Sequence, residues 1–174
     1  MAVYTYGDRV PSIGRRVYIS DSARVIGDVV IGDDCYVGHG AVIRGDYGTI
    51  HLGSGTAVEE NAVVHVRPEG LSVMGRRVTI GHGAVVHCNR IGDFAVVGMG
   101  AVLSFDVELG EWSIVAEGCV VPNKTIIASH KVVVGVPARV VGDVGNEHKS
   151  FWTYAKQLYV DLAHSYPEKI KRID

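Results

Sequence analysis

The chain has 174 residues, 47% of them hydrophobic, with 17 basic and 19 acidic side chains and a formal net charge of −2. This is enough apolar material for one domain with a sizeable core, and it excludes a disordered or collagen-like chain. Balanced charge of this kind offers no field to hold nucleic acid or an anionic membrane, so neither is an expected partner.

Met1 to Val10 is mixed and tyrosine-rich, without a basic stretch followed by an apolar one, and no apolar run is long enough to span a bilayer. A soluble, cytoplasmic protein is expected. Cys35, Cys88 and Cys119 have no CxxC spacing and leave one over under any pairing, which predicts reduced, buried and inert thiols.

From Ile19 an aliphatic residue recurs every sixth position (Ile19, Val25, Ile31, Val37, Ile43), and the series resumes as Ile91, Val97, Leu103, Leu109, Val115 and Val121. Small or branched residues such as Ala23, Val29, Ala41, Ala95 and Ala101 sit four places after these, and glycine often follows them (Gly32, Gly38, Gly81, Gly92, Gly98). Neither helical nor alternating periodicity gives a strict six, whereas a short strand plus a corner does. Three hexads close a triangular turn, and roughly twenty of them between Ile19 and Val140 predict an all-β solenoid, a parallel β-helix of about seven turns. Its strands would stack about 4.8 Å apart around an aliphatic interior.

Two interruptions break the period, at Tyr47 to Ile50 and at Val66 to Val73, and insertions in a solenoid collect on one edge and often border a site. Histidines surround them. His65 and His87 each follow an inward residue, Val64 and Val86, and lie three hexads apart, so they are expected to stack one turn above the other and converge on one metal. The same count puts Arg44 in their column. His82 occupies a corner position of the Ile80 hexad and should point away from that pair, so a neighbouring chain would have to supply it. A cyclic homotrimer would then complete intersubunit sites of three histidines with an open position, the ligand set of a hydrolytic or hydrating metal centre acting on a small-molecule substrate. The other histidines, His39, His51, His130, His148 and His164, are assigned no chemistry. No G-x-G-x-x-G follows a strand, so no dinucleotide site is indicated.

Beyond the repeat, residues 1–141, the connecting turn and C-terminal segment 142–174 lose the six-period. Phe151, Tyr154, Leu158, Asp161/Leu162 and His164 recur at helical spacing, which predicts an amphipathic helix that Pro167 breaks or ends, packed on a flat side of the prism.

The strings AVIRGDYGTIHLGSGTAVEENAVVHV and VTIGHGAVVHCNRIGDFAVVGMGAV resemble the central signature of γ-class carbonic anhydrases, and VVVGVPARVV resembles the closing segment of that family. The resemblance implies a left-handed winding, which general crossover rules do not supply. It implies His65, His82 and His87 as ligands of Zn2+, with Fe2+ or Co2+ equally suited to imidazole. It also implies an Arg44–Asp46 ion pair bridging subunits, Tyr159 approaching from the helix, and reversible hydration of CO2 to bicarbonate. The chain departs from the family pattern at Glu59, in place of glutamine, and at Ala57 and Asp161, each in place of asparagine. Glu59 would accept a hydrogen bond from water at the metal or take its proton. The long acidic loop of the pattern is missing, and Glu69 is the one carboxylate in its short replacement. Alternatives are hydrolysis of an acyl-CoA thioester at the same metal, a metal-free CoA-dependent acyltransferase, and a non-catalytic scaffold subunit.

Overall fold

The structure, a computed structural model, describes residues 2–174. It is a left-handed parallel β-solenoid of about seven turns, closed by one C-terminal helix. On the first face of the prism, strands beginning at Tyr18, Tyr36, Ala57, Thr79, Val96, Ile114 and Lys131 pair in parallel, each one turn above the last. The second face stacks Val25, Ile43, Val64, Val86, Leu103 and Val121, and the third stacks Ile31, Leu52, Met74, Ile91, Leu109 and Ile127. These aliphatic columns fill the interior and none of their members is more than 3% exposed. Each contributes about 1.5–3 kcal/mol by burial, which is where the six-residue period acquires its stability.

Corners need a residue in the left-handed region. At the corner that leaves the first face this residue is Gly40, Asn61, Gly83, Gly100 and Gly118 in successive turns, with φ between 60° and 71°. Glycine and asparagine adopt that conformation at least cost.

The repeat is irregular at one corner only, between the second and third faces. Ile43 to Leu52 and Val64 to Met74 are nine and ten residues apart instead of six, whereas Val86 to Ile91 is five. The two insertions stack as a ledge, with Thr49 paired to Leu71 and the Tyr47 carbonyl accepting from the Glu69 N–H at 2.9 Å. A Cβ on Gly48 would collide with the Gly70 carbonyl, so glycine is required where the two layers touch. This ledge begins directly after Arg44–Asp46 and after His65.

At the far end the repeat does not run on to Val140 as a parallel hexad. Arg139–Asp143 instead folds back antiparallel on Lys131–Val134, which covers the last open edge of the first face. The helix α1 (Asn146–Lys169) then descends the same face. No helix among the described residues is long and apolar enough to cross a membrane.

Helix α1 differs from expectation in two respects. Its buried stripe is Lys156, Val160 and Ala163, flanked by Tyr159 and Tyr166, while Phe151, Tyr154 and Leu158 face outward at 62%, 65% and 44% exposure. The surface it meets explains the rotation. Tyr18 and Tyr36 project from the first face and pack against Tyr166 and Tyr159 with ring centroids 4.7 and 5.3 Å apart, and Ala163 lets the helix approach them. The second difference is that Pro167 lies inside the last turn rather than before it. There it sacrifices a single backbone bond, and the Ile170 N–H still reaches the Tyr166 carbonyl at 3.0 Å.

Lys156 is 2% exposed, and its Nζ donates to Thr79 Oγ1 at 2.9 Å and to the Ala95 carbonyl at 3.1 Å. Burial pushes its pKa down to about 7, with Glu59 acting in the opposite direction and Arg77 adding to the fall. The unfolded chain therefore binds a proton that the folded chain refuses between the ordinary lysine value and pH 7. Stability is lost as pH falls through that window and stays level below it. In Lys156→Met this slope is expected to disappear. Urea midpoints of both proteins at pH 7 and pH 10 should shift the difference toward the variant at pH 7, by at most about 1.4 kcal/mol per pH unit. Parallel pH profiles would contradict the burial of an uncharged amine.

Candidate metal centre

The second-face register places Arg44 beside His65, and His65 one turn below His87. The two imidazole centroids are 5.0 Å apart and the rings nearly perpendicular. His65 Nε2 lies 3.1 Å from Asp46 Oδ1, and Asp46 accepts from Arg44 through its other oxygen. Burial acts against the Asp46 carboxylate, yet the hydrogen bond from His65 and the Arg44 charge hold it below the usual carboxylate range. Its side chain is 8% exposed, so this is not a plain surface pair, whereas Arg44 remains 40% exposed and reachable from outside. His87 Nδ1 is buried with no hydrogen-bond partner, and burial, then His65 and Arg44, lowers its pKa. A buried, neutral imidazole adjacent to a second one is a donor set with unused capacity, as a divalent metal requires. Two exposed aromatic rings end the column: Tyr47, 5.7 Å from His65, and Phe105, 4.7 Å from His87.

A second cluster lies at the other edge of the same face, on the corner that leads into it. Glu59 and Glu60 follow Val58, and His82 follows Ile80 one turn above. His82 Nε2 is 3.2 Å from Glu59 Oε2 and His82 Nδ1 is 2.8 Å from Glu60 Oε2. Glu59 is 5% exposed, accepts the His82 backbone N–H at 3.2 Å, and is raised by burial against the opposing pull of His82 and Tyr159. Helix α1 supplies Tyr159, whose phenol is itself raised by burial and by the charge of Glu59. Glu60 accepts the Tyr36 hydroxyl at 2.7 Å. The residues expected from the sequence thus fall into two half-sites, His65, His87, Arg44 and Asp46 at one corner, His82, Glu59 and Tyr159 at the other. Among the described residues no three histidine, cysteine, aspartate or glutamate side chains of one chain gather as a metal site.

Glu60, Tyr36, Tyr47, Phe105 and Lys156 escaped the reading of the sequence. Glu60 was detectable, since it occupies the same corner position as His39 one turn below and His82 one turn above. The two departures from the family pattern away from Glu59 have structural surroundings: Ala57 is buried beneath the tyrosines, and Asp161 is exposed and accepts from Gln157 at 2.9 Å. Three histidines without assigned chemistry have structural partners: His39 with Ser20 at 2.7 Å, His148 accepting the Gly145 N–H at the helix start, and His164 with Asp34 at 2.8 Å. All three cysteines are free and buried, with the thiols of Cys35 and Cys88 pushed by burial up to about 11 and about 12.

Comparison with known proteins bears on the repeat and the fold. Residues 11–45 match the bacterial transferase hexapeptide family (six repeats). The chain is 36% identical to γ carbonic anhydrase 1, mitochondrial, of Arabidopsis thaliana over 91% of its own residues, though it spans only 60% of that relative's length. It is 31% identical to the carnitine operon protein CaiE of Escherichia coli, covering 93% of this chain and 83% of that one. Among solved structures, a hexapeptide transferase family protein from Anaplasma phagocytophilum superposes with a TM-score of 0.90 at 32% identity, covering 95% and 98% of the two chains. With the solenoid and these relatives in agreement, the chain belongs to the hexapeptide-repeat family, with γ-class carbonic anhydrases and CaiE among its relatives.

Proposed function

We propose that the protein hydrates CO2 reversibly at a divalent metal held between copies of the chain in a homotrimer, with His65 and His87 from one copy and His82 from the next. The observation that carries this reading is the stacked pair His65 and His87, with a buried, unpartnered ring nitrogen, set at one edge of a face whose other edge carries His82 between carboxylates. Two different patches on each subunit are what a cyclic, head-to-tail assembly joins. When bound there, a zinc-like ion supplies a strong positive charge and acidifies water to a pKa of about 7.

The side chains of the protein do the rest. Glu59, buried beside His82 and held by its backbone N–H, accepts a hydrogen bond from reacting water and orients it, or takes its proton. Tyr159 keeps that carboxylate in place from the helix. Asp46 fixes the His65 ring, and the exposed Arg44 is available to a second copy, where it would bridge the interface. Tyr47 and Phe105 shield the histidine pair from bulk water at both ends. The buried, inert thiols suit a reducing cytoplasm.

The deciding experiment is metal analysis of anaerobically purified protein together with CO2 hydration, acyl-CoA hydrolysis and acyl-transfer assays. About one metal per chain with hydration activity is expected. Stoichiometric metal with brisk thioester cleavage and no hydration would replace CO2 by an acyl thioester. Metal-free protein active in acyl transfer would replace the whole reading by a transferase, and metal without any turnover would leave a scaffold.

A further inference from the structure

His82 stands apart from His65 and His87 because both of its ring nitrogens meet carboxylates of its own chain. Both are tied into the fold, Glu59 by the His82 backbone N–H and Tyr159, and Glu60 by a tyrosine packed beneath the helix. Glu60 presents one oxygen to His82 Nδ1 at 2.8 Å and accepts the Tyr36 hydroxyl on the other at 2.7 Å. Tyr36 is 2% exposed and locked on three sides, its ring 5.4 Å from Tyr18, 5.3 Å from Tyr159 and 5.7 Å from Tyr166. The tyrosine cannot follow a movement of Glu60, so the carboxylate is held in one orientation. The His82 ring is in turn fixed by the side on which Glu60 holds it. The ring is 45% exposed on a corner beside Gly83, and its other nitrogen lies 3.2 Å from the Glu59 carboxylate.

We propose that Glu60 and Tyr36 form a positioning relay that orients His82 for a metal shared with a second copy of the chain. The relay rests on the three-histidine reading above and adds to it a role for two residues outside the ligand set. The physical basis is general: an imidazole whose distal N–H is accepted by a fixed carboxylate has one tautomer and one ring plane, and its remaining nitrogen is a better and better-aimed donor. Tyr36 acts only through Glu60, since its hydroxyl bonds to Glu60 and not to His82.

The test is a double-mutant cycle on metal affinity, using Zn2+ competed against a chelator of known strength, with the wild type, Glu60→Gln, Tyr36→Phe and the double variant. Glu60→Gln keeps the shape and loses the charge, and it should weaken Zn2+ binding about 10- to 100-fold. Tyr36→Phe keeps the ring packing and should weaken binding several-fold. In the Glu60→Gln background the tyrosine change should have no further effect, a non-additivity that a merely structural role for Tyr36 would not produce. Melting temperatures of the metal-free proteins verify that all four are folded. Unchanged affinity in Glu60→Gln, or equal effects of Tyr36→Phe in both backgrounds, would overturn the relay while leaving the ligand set intact. A wild type that takes up no Zn2+ would overturn the ligand set, and the relay with it.

Discussion

His65→Ala is expected to abolish metal uptake and turnover together while leaving the fold intact. His65 sits outside the aliphatic columns, with its side chain 12% exposed, so its removal opens no core cavity and should cost little stability. Its chemical consequences are larger. His87 loses the imidazole 5.0 Å away that would share its metal, and Asp46 is left with Arg44 as its remaining strong partner. Loss of one of three nitrogen donors should exceed the 10- to 100-fold penalty for an outer partner, so affinity is expected to drop by more than about 100-fold. Metal content by mass spectrometry, CO2 hydration rate and thermal midpoint measured on one preparation separate the possibilities. A variant that melts normally but keeps its metal would remove His65 from the ligand set.

The solenoid was legible because its physics is one-dimensional. Each hexad buries one aliphatic residue against the residues one turn above and below, so the period in the sequence is the period in space. The same arithmetic carried the site as far as columns. Val64 and Val86 align in register, and their successors His65 and His87 therefore had to stack. Even the insertions helped, since residues added at one corner leave the other two columns in phase.

What the sequence concealed depends on surfaces that meet only after folding. The apolar spacing of Phe151, Tyr154 and Leu158 suggested the packed face of the helix, yet the first face offers tyrosine rings and the Thr79 hydroxyl. A stripe of Lys156, Val160 and Ala163 fits that floor better than large hydrophobics do. Tyr36 immediately precedes the inward residue Val37 and so points outward, and nothing in the chain near it signals that a helix more than a hundred residues later will bury it. Phe105 is similarly one residue past the column of His87, and only the ring distance of 4.7 Å reveals that it borders the histidine. Periodicity reports which residues face the interior; it carries no information about the partners of those facing out.

The division of the histidines between two corners leads to the largest recovery of function that two inactive proteins should show. His65→Ala and His82→Ala homotrimers each lack one donor at every site, so both are expected to be metal-poor and inactive. Mixed trimers behave differently. Wherever a His82→Ala chain supplies the His65 and His87 pair and a His65→Ala chain supplies His82, one complete set of three histidines is rebuilt. In a head-to-tail ring every mixed trimer contains one such interface, which amounts to roughly a quarter of all sites at equal mixing. Co-expression of the two variants with different affinity tags, followed by tandem purification, isolates these mixed trimers. About one metal per trimer and about a third of the wild-type turnover per trimer are the expected readings, on the basis of one rebuilt site in three. A site formed within a single chain cannot be rescued in this way, because neither variant chain contains all three histidines. Mixed assemblies that recover neither metal nor turnover would refute the division of the site between subunits, whatever the wild type proves to catalyse.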